Sequence, residues 1–296
     1  MKTSTSIRAL VELMEDSDPM VMSHAQAKLM EYGESIIPEL EHIEQSSFDS
    51  PVLMENVAKI LHKIRFSVIK KTLSNWVSTR EKNLLEAVFT INQFQFSELD
   101  KDDFLLQFQQ LKHDFWMKIS PRQTCFERVK ALNQVFYKSF GFNCLQKSFY
   151  SPFEVYTHSV FDTKEGNSLS LGLIYSIVAQ SLDIPIYGVA TMNRRAPFVL
   201  AYLDETNLLP YLDWGINNNG VLFYINIENK GEMVSPKQLR EYYLMIGLQG
   251  NRSQFEPSPN SVIIRKYLED IKRSYENQAY YRYKLDEINE LISLFK

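Results

Sequence analysis

Cysteine is almost missing from this chain. The 296 residues contain two, Cys125 and Cys144, too few for a disulfide framework and without metal-ligand spacing. Both read as plain core or surface residues, and a reduced compartment is expected. Long apolar runs are missing too: none approaches the roughly 20 residues that a bilayer span needs. Met1 to Asp18 has no basic region followed by an apolar stretch, so no signal peptide is expected. No excess of positive charge exists either. The net charge is −4, which gives no footprint for nucleic acid or for an anionic membrane surface. Histidines number five, and His24, His42 and His62 lie in a helical stretch with no second ligand at metal spacing, so they are expected to face solvent. These absences leave a cytoplasmic globular protein with no cofactor and no metal implied. A composition 45% hydrophobic and 23% charged is rich enough in apolar residues to build a core, so disorder is excluded as the default.

What is present begins with helices. Apolar residues recur at helical spacing in Ile7, Leu10, Val11, Met14 and in Val21, Ala25, Leu29. Asp18-Pro19 supplies a cap residue and a proline at the first helical position, and Gly33 ends that helix. Ile36, Ile37, Leu40 and Ile43 form the next, and Ser50-Pro51 opens another through Leu53, Val57, Ile60, Leu61 and Ile64. Pro19 and Pro51 stand about 32 residues apart, a period in the range of helical-pair solenoids. Residues 1–68 therefore resemble short HEAT-like repeats. Two repeats fall below the usual minimum of about three, so this unit is expected to pack on the rest of the chain or to present a protein-binding face.

Residues 80–250 carry whatever chemistry there is. The stretch opens helical, through Leu84, Leu85, Val88 and then Phe104, Leu105, Phe108, and a further helix runs from Cys125 to Phe140 and stops at Gly141. The aromatic series Phe94, Phe96, Phe104, Phe108, Phe115 and Trp116 reads as core. A Gly166-Asn167 turn then leads into a helix apolar on nearly every side: Leu169, Leu171, Leu173, Ile174, Ile177, Val178, Leu182. Strands are expected over 184–190, 197–204, 208–213 and 221–227, with Asn217–Gly220 as the turn before the last. Gly172, inside the buried helix, costs about 1 kcal/mol in helix propensity, and close helix–sheet approach is the reason to keep it. Residues 258–296 form two amphipathic helices that need a partner surface.

In order and spacing, these pieces resemble the SirB-type branch of the transglutaminase-like superfamily. The resemblance rests on Leu132-Asn133-Gln134-Val135-Phe136-Tyr137 followed by Phe140-Gly141-Phe142, Tyr150-Ser151-Pro152, the Gly166-Asn167 turn with Leu169-Ser170-Leu171, and Ala179 to Pro185 leading to Gly188-Val189. Phe198 to Tyr202 resembles the strand that carries the family histidine, and Tyr211-Leu212-Asp213 the strand that carries its aspartate. The fold implied is α+β: a transglutaminase-like core with a buried helix against an antiparallel sheet, flanked by the N-terminal HEAT-like segment and a C-terminal helical pair.

Catalytic members of that superfamily use a cysteine at the helix N-terminus, a histidine on the next strand as base and an aspartate to orient it. A helix N-terminus beside an imidazolium lowers a thiol pKa enough to supply thiolate at neutral pH. Carried onto this chain, the cysteine position falls on Ser168, or on Asn167 if the register slips by one, and the histidine position on Pro197, preceded by Arg194-Arg195-Ala196. Asp213 alone has the right type, and it serves equally to begin the Asp213-Trp214 turn.

Two readings follow. In the first the module is catalytically inactive and binds a protein or peptide at the relic cleft, with Asn167 or Ser168 capping the buried helix. The cleft then comprises Asn167, Ser168, His158, Arg194, Arg195, Asp213 and Trp214. His158 is expected on a loop. Arg194 and Arg195 either grip an acidic group or stay solvated. In the second, a hydrolase or amide-transfer enzyme uses Ser168 as nucleophile, with His158 or a backbone-assisted water as base and Asp213 as orienter. A hydroxyl, unlike a thiol, does not ionise from a helix dipole alone, and so this reading requires a base at the Ser168 oxygen.

Overall fold

A computed structural model describes residues 2–16, 18–46, 51–191, 196–204, 220–248, 254–276 and 282–295. Arg194, Arg195, Asp213 and Trp214 lie outside the described residues, as do the expected strand 208–213, most of the Asn217–Gly220 turn, Ser50 and Tyr280. The chain divides into two compact units: Met1–Trp76 with Gln93–Ser97, and Val77–Asn92 with Glu98–Lys296.

The first unit is built from helices α1 (Lys2–Glu12), α2 (Pro19–Tyr32), α3 (Ile37–Ser46) and most of α4 (Pro51–Ser78). Asp18 caps α2, its carboxylate accepting from the Met20 N–H at 2.8 Å, with Pro19 at the first helical position as expected. The core joins Ile7, Val11 and Met14 to Ala25, Leu29, Ile36, Leu40, Val57, Ile60 and Ile64. These are the residues whose helical spacing stood out in the sequence. One boundary differs: α4 does not stop near Ile64 but runs 28 residues, because no proline or glycine interrupts it and Ile69, Leu73 and Trp76 keep its apolar face buried.

The second unit begins with α5 (Leu84–Asn92), α6 (Lys101–Lys118) and α7 (Cys125–Asn133). α7 carries a capping box between Thr124 and Glu127, and continues as a π-helical turn over Gln134–Ser139 before Gly141. Next come β1 (Asn143–Cys144), α8 (Thr157–Thr163), β2 (Glu165–Gly166) and α9 (Ser168–Gln180). β1 and β2 pair in parallel. A four-stranded antiparallel sheet follows, in the order β3 (Ile186–Val189), β4 (Val199–Leu203), β5 (Val221–Asn226), β6 (Glu232–Val234). α10 (Pro236–Met245), α11 (Asn260–Glu276) and α12 (Arg282–Ser293) complete the unit. β6 and α10 were not read from the sequence, although Ser235 and Gln238 form a capping box around Pro236 at the start of α10.

α9 is the central helix. Every residue from Leu169 to Ala179 is buried, which is why its sequence shows no polar face. Phe115 of α6 meets Tyr175 edge-on at 5.7 Å, and Phe136 meets the same ring at 5.2 Å. Gly172 has the role expected of it. A Cβ there would stand 2.5 Å from the Phe198 ring, and a Cβ on Gly188 of β3 would stand 2.7 Å from the same ring. Phe198 thus lies clamped between a helix glycine and a strand glycine. The aromatic series is core at Phe94, Phe104, Phe108 and Phe115, but Trp116 is 60% exposed, because it falls on the outer side of α6 one residue after the buried Phe115.

Candidate functional site

The site forms where the N-terminus of α9 meets the ends of two strands and one face of α11. Gly166 lies flat against Val160 and brings the chain to Asn167 in extended conformation, φ −77° and ψ 168°. Asn167, not Ser168, is the N-cap. Its Oδ1 accepts from the Ser170 N–H at 2.8 Å, and its own N–H donates to the Glu154 carbonyl at 3.1 Å. The Ser170 hydroxyl donates to the Val155 carbonyl, fixing the first turn a second time. Ser168 takes the first helical position, half-buried, and its hydroxyl is left to turn into the adjoining cavity.

That hydroxyl faces the carboxylate of Glu228 in the cavity and favours its anion. Glu228 belongs to a 3₁₀ turn, Ile227–Asn229, that follows β5 and is capped by the Asn226 side chain, which accepts from the Glu228 N–H at 3.1 Å. The sheet register explains its arrival here. Val199 at the start of β4 pairs with Asn226 at the end of β5, so the start of one strand and the turn after the other open on the same side. Burial pushes the Glu228 carboxyl above the usual carboxylate range, and the Ser168 hydroxyl partly offsets that rise.

α11 supplies the facing wall. Lys266, Asp270 and Arg273 stand at i, i+4 and i+7, one polar strip beside the buried stripe of Ile263, Ile264, Tyr267, Leu268, Ile271 and Tyr275. Asp270 accepts from Arg273 at 2.8 Å and from the Asn167 side-chain amide at 3.4 Å. Burial pushes the Asp270 carboxyl up, opposed by the charges of Lys266 and Arg273. The Lys266 ammonium donates to the Thr191 carbonyl at 3.0 Å, and burial pulls its pKa down. The third wall comes from the loop before α8, where Lys147 pairs with Glu154 and Phe149 and Tyr150 reach the cavity.

Together these groups enclose a cavity of about 440 Å³, within the range of small-ligand and peptide-side-chain pockets. Among the described residues lining it there is neither histidine nor cysteine. Pro197 is buried at the mouth of β4 and lines the cavity, where the resemblance puts a histidine.

The structure thus gathers Asn167, Ser168 and Pro197 at one cavity, gives the cap to Asn167 of the two candidates, and corrects one expectation. His158 is not on a loop. It sits in the first turn of α8, its N–H donating to Asn92 at 2.9 Å and its Nε2 3.8 Å from Asp162, and it does not line the cavity. Glu228, Lys266, Asp270 and Arg273 went unread. The three on α11 had a signal in their helical spacing, whereas Glu228 had none, since only strand register brings it to Ser168. No group of His, Cys, Asp and Glu among the described residues is arranged to hold a metal ion.

A family model described as the transglutaminase-like superfamily matches residues 102–269, more than half of the chain. A UPF0162 protein of Haemophilus influenzae is 35% identical over 72 residues, 24% of this chain and 27% of that protein. A second UPF0162 protein, from Pasteurella multocida, is 34% identical over 62 residues, 21% of this chain and 24% of that protein. The match thus spans about a quarter of the length of each relative. No solved structure gives a significant match.

Proposed function

The chain belongs to the transglutaminase-like superfamily, and on that premise we propose that it is a catalytically inactive member whose cleft binds a peptide or a segment of a protein partner. The observation that carries this reading is that Ser168 faces Glu228 in a cavity whose described lining holds neither histidine nor cysteine. The hydroxyl that stands where the superfamily places its nucleophile has a carboxylate as its neighbour, a far weaker base than the alkoxide it would have to generate. The groups around it suit recognition. Lys266 and Arg273 offer donors, Glu228 and Asp270 offer acceptors, and the half-exposed Phe149 offers an apolar rim. A peptide backbone with mixed side chains satisfies such a wall through several modest contacts.

Finer assignments belong to the same proposal. Within the superfamily the chain is read as SirB-type, its first unit as HEAT-like helices presenting a second protein-binding face, and its compartment as the cytoplasm.

A second reading has one observation in its favour. If Ser168 is a nucleophile, the group at its hydroxyl is Glu228 and not His158, so a hydrolase or amide-transfer activity would depend on that pair.

Peptide-phage selection on the wild-type chain, followed by affinity measurement of the selected peptides, tests the proposal. Ser168→Trp, which fills the cavity, and Arg273→Ala are each expected to weaken binding about tenfold. Turnover of ester or amide substrates that disappears in both Ser168→Ala and Glu228→Gln would replace the binding reading with the enzymatic one.

A further inference from the structure

A second concavity, of about 390 Å³, lies between the π-helical turn after α7 and the turn that follows Glu228. Six residues line it: Lys130, Asn133, Gln134, Tyr137, Lys138 and Lys230. Three are cations and none is an acid, in a chain whose net charge is −4. No carboxylate forms a salt bridge with Lys130, Lys138 or Lys230 among the described residues. Glu127, one turn before Lys130, is engaged chiefly by the Thr124 N–H and hydroxyl, from which it accepts at 2.9 Å each, and only weakly by the charge of Lys130.

The floor and walls are fixed. Asn133 donates to the Gly231 carbonyl at 2.7 Å and accepts from the hydroxyl of the buried Tyr175 at 3.0 Å. Gly231, at φ +73°, is required there: a Cβ would stand 2.2 Å from Asn133 Oδ1. Lys230 itself holds a left-handed backbone, φ +50°, which is costly for a residue with a Cβ. Tyr137 donates to the Ile227 carbonyl at 3.4 Å. The π-helical turn, with Phe140 N–H bonded to the Val135 carbonyl at 2.9 Å, is a rare local form found frequently at functional sites.

We propose that this pocket binds the phosphate group of a small molecule. Three exposed lysines on the lining give the concavity a positive charge that an anion would offset. A phosphate monoester, at about −1.5 to −2 near neutral pH, matches that charge better than a single carboxylate. Lysine recognises such a group as a point charge and needs no bidentate geometry, while the Asn133 and Gln134 amides and Tyr137 supply polar contacts beside it. The site stands apart from the peptide-binding reading and does not depend on it.

Isothermal titration calorimetry on the full chain at low salt tests it, using inorganic phosphate, glycerol 1-phosphate as a monoester, and acetate as a monovalent control. Both phosphates should bind, acetate about tenfold more weakly, with the tighter phosphate identifying the free or the esterified source. The triple variant K130Q/K138Q/K230Q should weaken phosphate about tenfold or more, while K130R/K138R/K230R stays within about threefold. K112Q/K118Q on α6, the same kind of exposed charge elsewhere, should change nothing. Absence of saturable phosphate binding by the wild type overturns the proposal, and so does equal loss in the α6 control or acetate binding as well as phosphate.

Discussion

Ser168 and Glu228 are 60 residues apart in the chain, yet the hydroxyl of the first faces the carboxylate of the second at the mouth of the central helix. The pair bears on the charge of the cleft. Burial favours a neutral Glu228, and the hydroxyl favours its anion. Removing the hydroxyl should therefore raise the Glu228 pKa further. Carboxyl titration by NMR is expected to place wild-type Glu228 above 4.5 and to place it higher still in Ser168→Ala. An unchanged titration would break the link between the two residues.

The same shift has a sign in stability. An acid whose folded pKa lies above its unfolded one binds more protons when folded, so its contribution falls as pH rises from 4.5 through the raised value. Glu228→Gln is expected to flatten that decline without lowering stability at pH 7. Urea midpoints measured between pH 4 and pH 7 check it, and a steeper decline in the variant would contradict the assignment.

Gly172 of α9 lies against the Phe198 ring just before β4, where a Cβ at Gly172 would stand 2.5 Å from the ring. Phe198 cannot retreat, because Gly188 clamps it from the strand side. Gly172→Ala gains about 1 kcal/mol of helix propensity and loses more in overpacking, for a net loss of about 1–2 kcal/mol. Chemical denaturation measures it. Pairing the change with Phe198→Leu should recover part of the loss, and no recovery would mean the ring is not the obstacle.

The Asn167 side chain serves two partners, the Ser170 N–H at 2.8 Å and Asp270 at 3.4 Å. Asn167→Ala should cost about 1–2 kcal/mol, the cap contributing about 1 of that. Asn167→Ser keeps a capping oxygen and is expected to retain most of the stability. Equal losses in the two variants would show that the Asp270 contact, rather than the cap, is what counts.

Lys284 is only 7% exposed on α12, its ammonium 5.4 Å from the Tyr275 ring, and burial pulls its pKa down to about 8. A base with a depressed folded pKa binds fewer protons when folded, so stability should rise as pH climbs from about 8 toward 10.5. Lys284→Met removes the titrating group, so the rise in stability above about pH 8 is expected to vanish. A thermal-melt series over pH 7 to 10 would show the rise in the wild type and its disappearance in the variant.

Much of this was legible in local chemistry. The Asp18-Pro19 start of α2, the Gly141 stop and the unbroken apolar run of α9 are all decided within a few residues of themselves. α10 was equally legible, through Ser235, Pro236 and Gln238, and was overlooked. The cleft divides differently. Asn167, Ser168 and Pro197 were found because they lie next to recognisable turns and strands, and Lys266, Asp270 and Arg273 share one face of a helix whose period was already plain. His158 was misread as a loop residue because α8 is only seven residues long, too short to show periodicity.

Local sequence was enough for most of the helices, for β3, β4 and β5, for the burial of the central helix on all sides, and, through the resemblance, for the serine and proline that stand where the superfamily keeps its cysteine and histidine. Those follow from propensity, capping and pattern, which act over a handful of neighbours. What packing added is that Ser168 faces Glu228, that Asn167 and Arg273 share Asp270, and that Lys130 of α7, Lys138 of the π-helical turn and Lys230 after β5 line one pocket. Such contacts depend on strand register and helix packing, and a slip of one residue in register would turn each strand's side chains to the opposite face of the sheet.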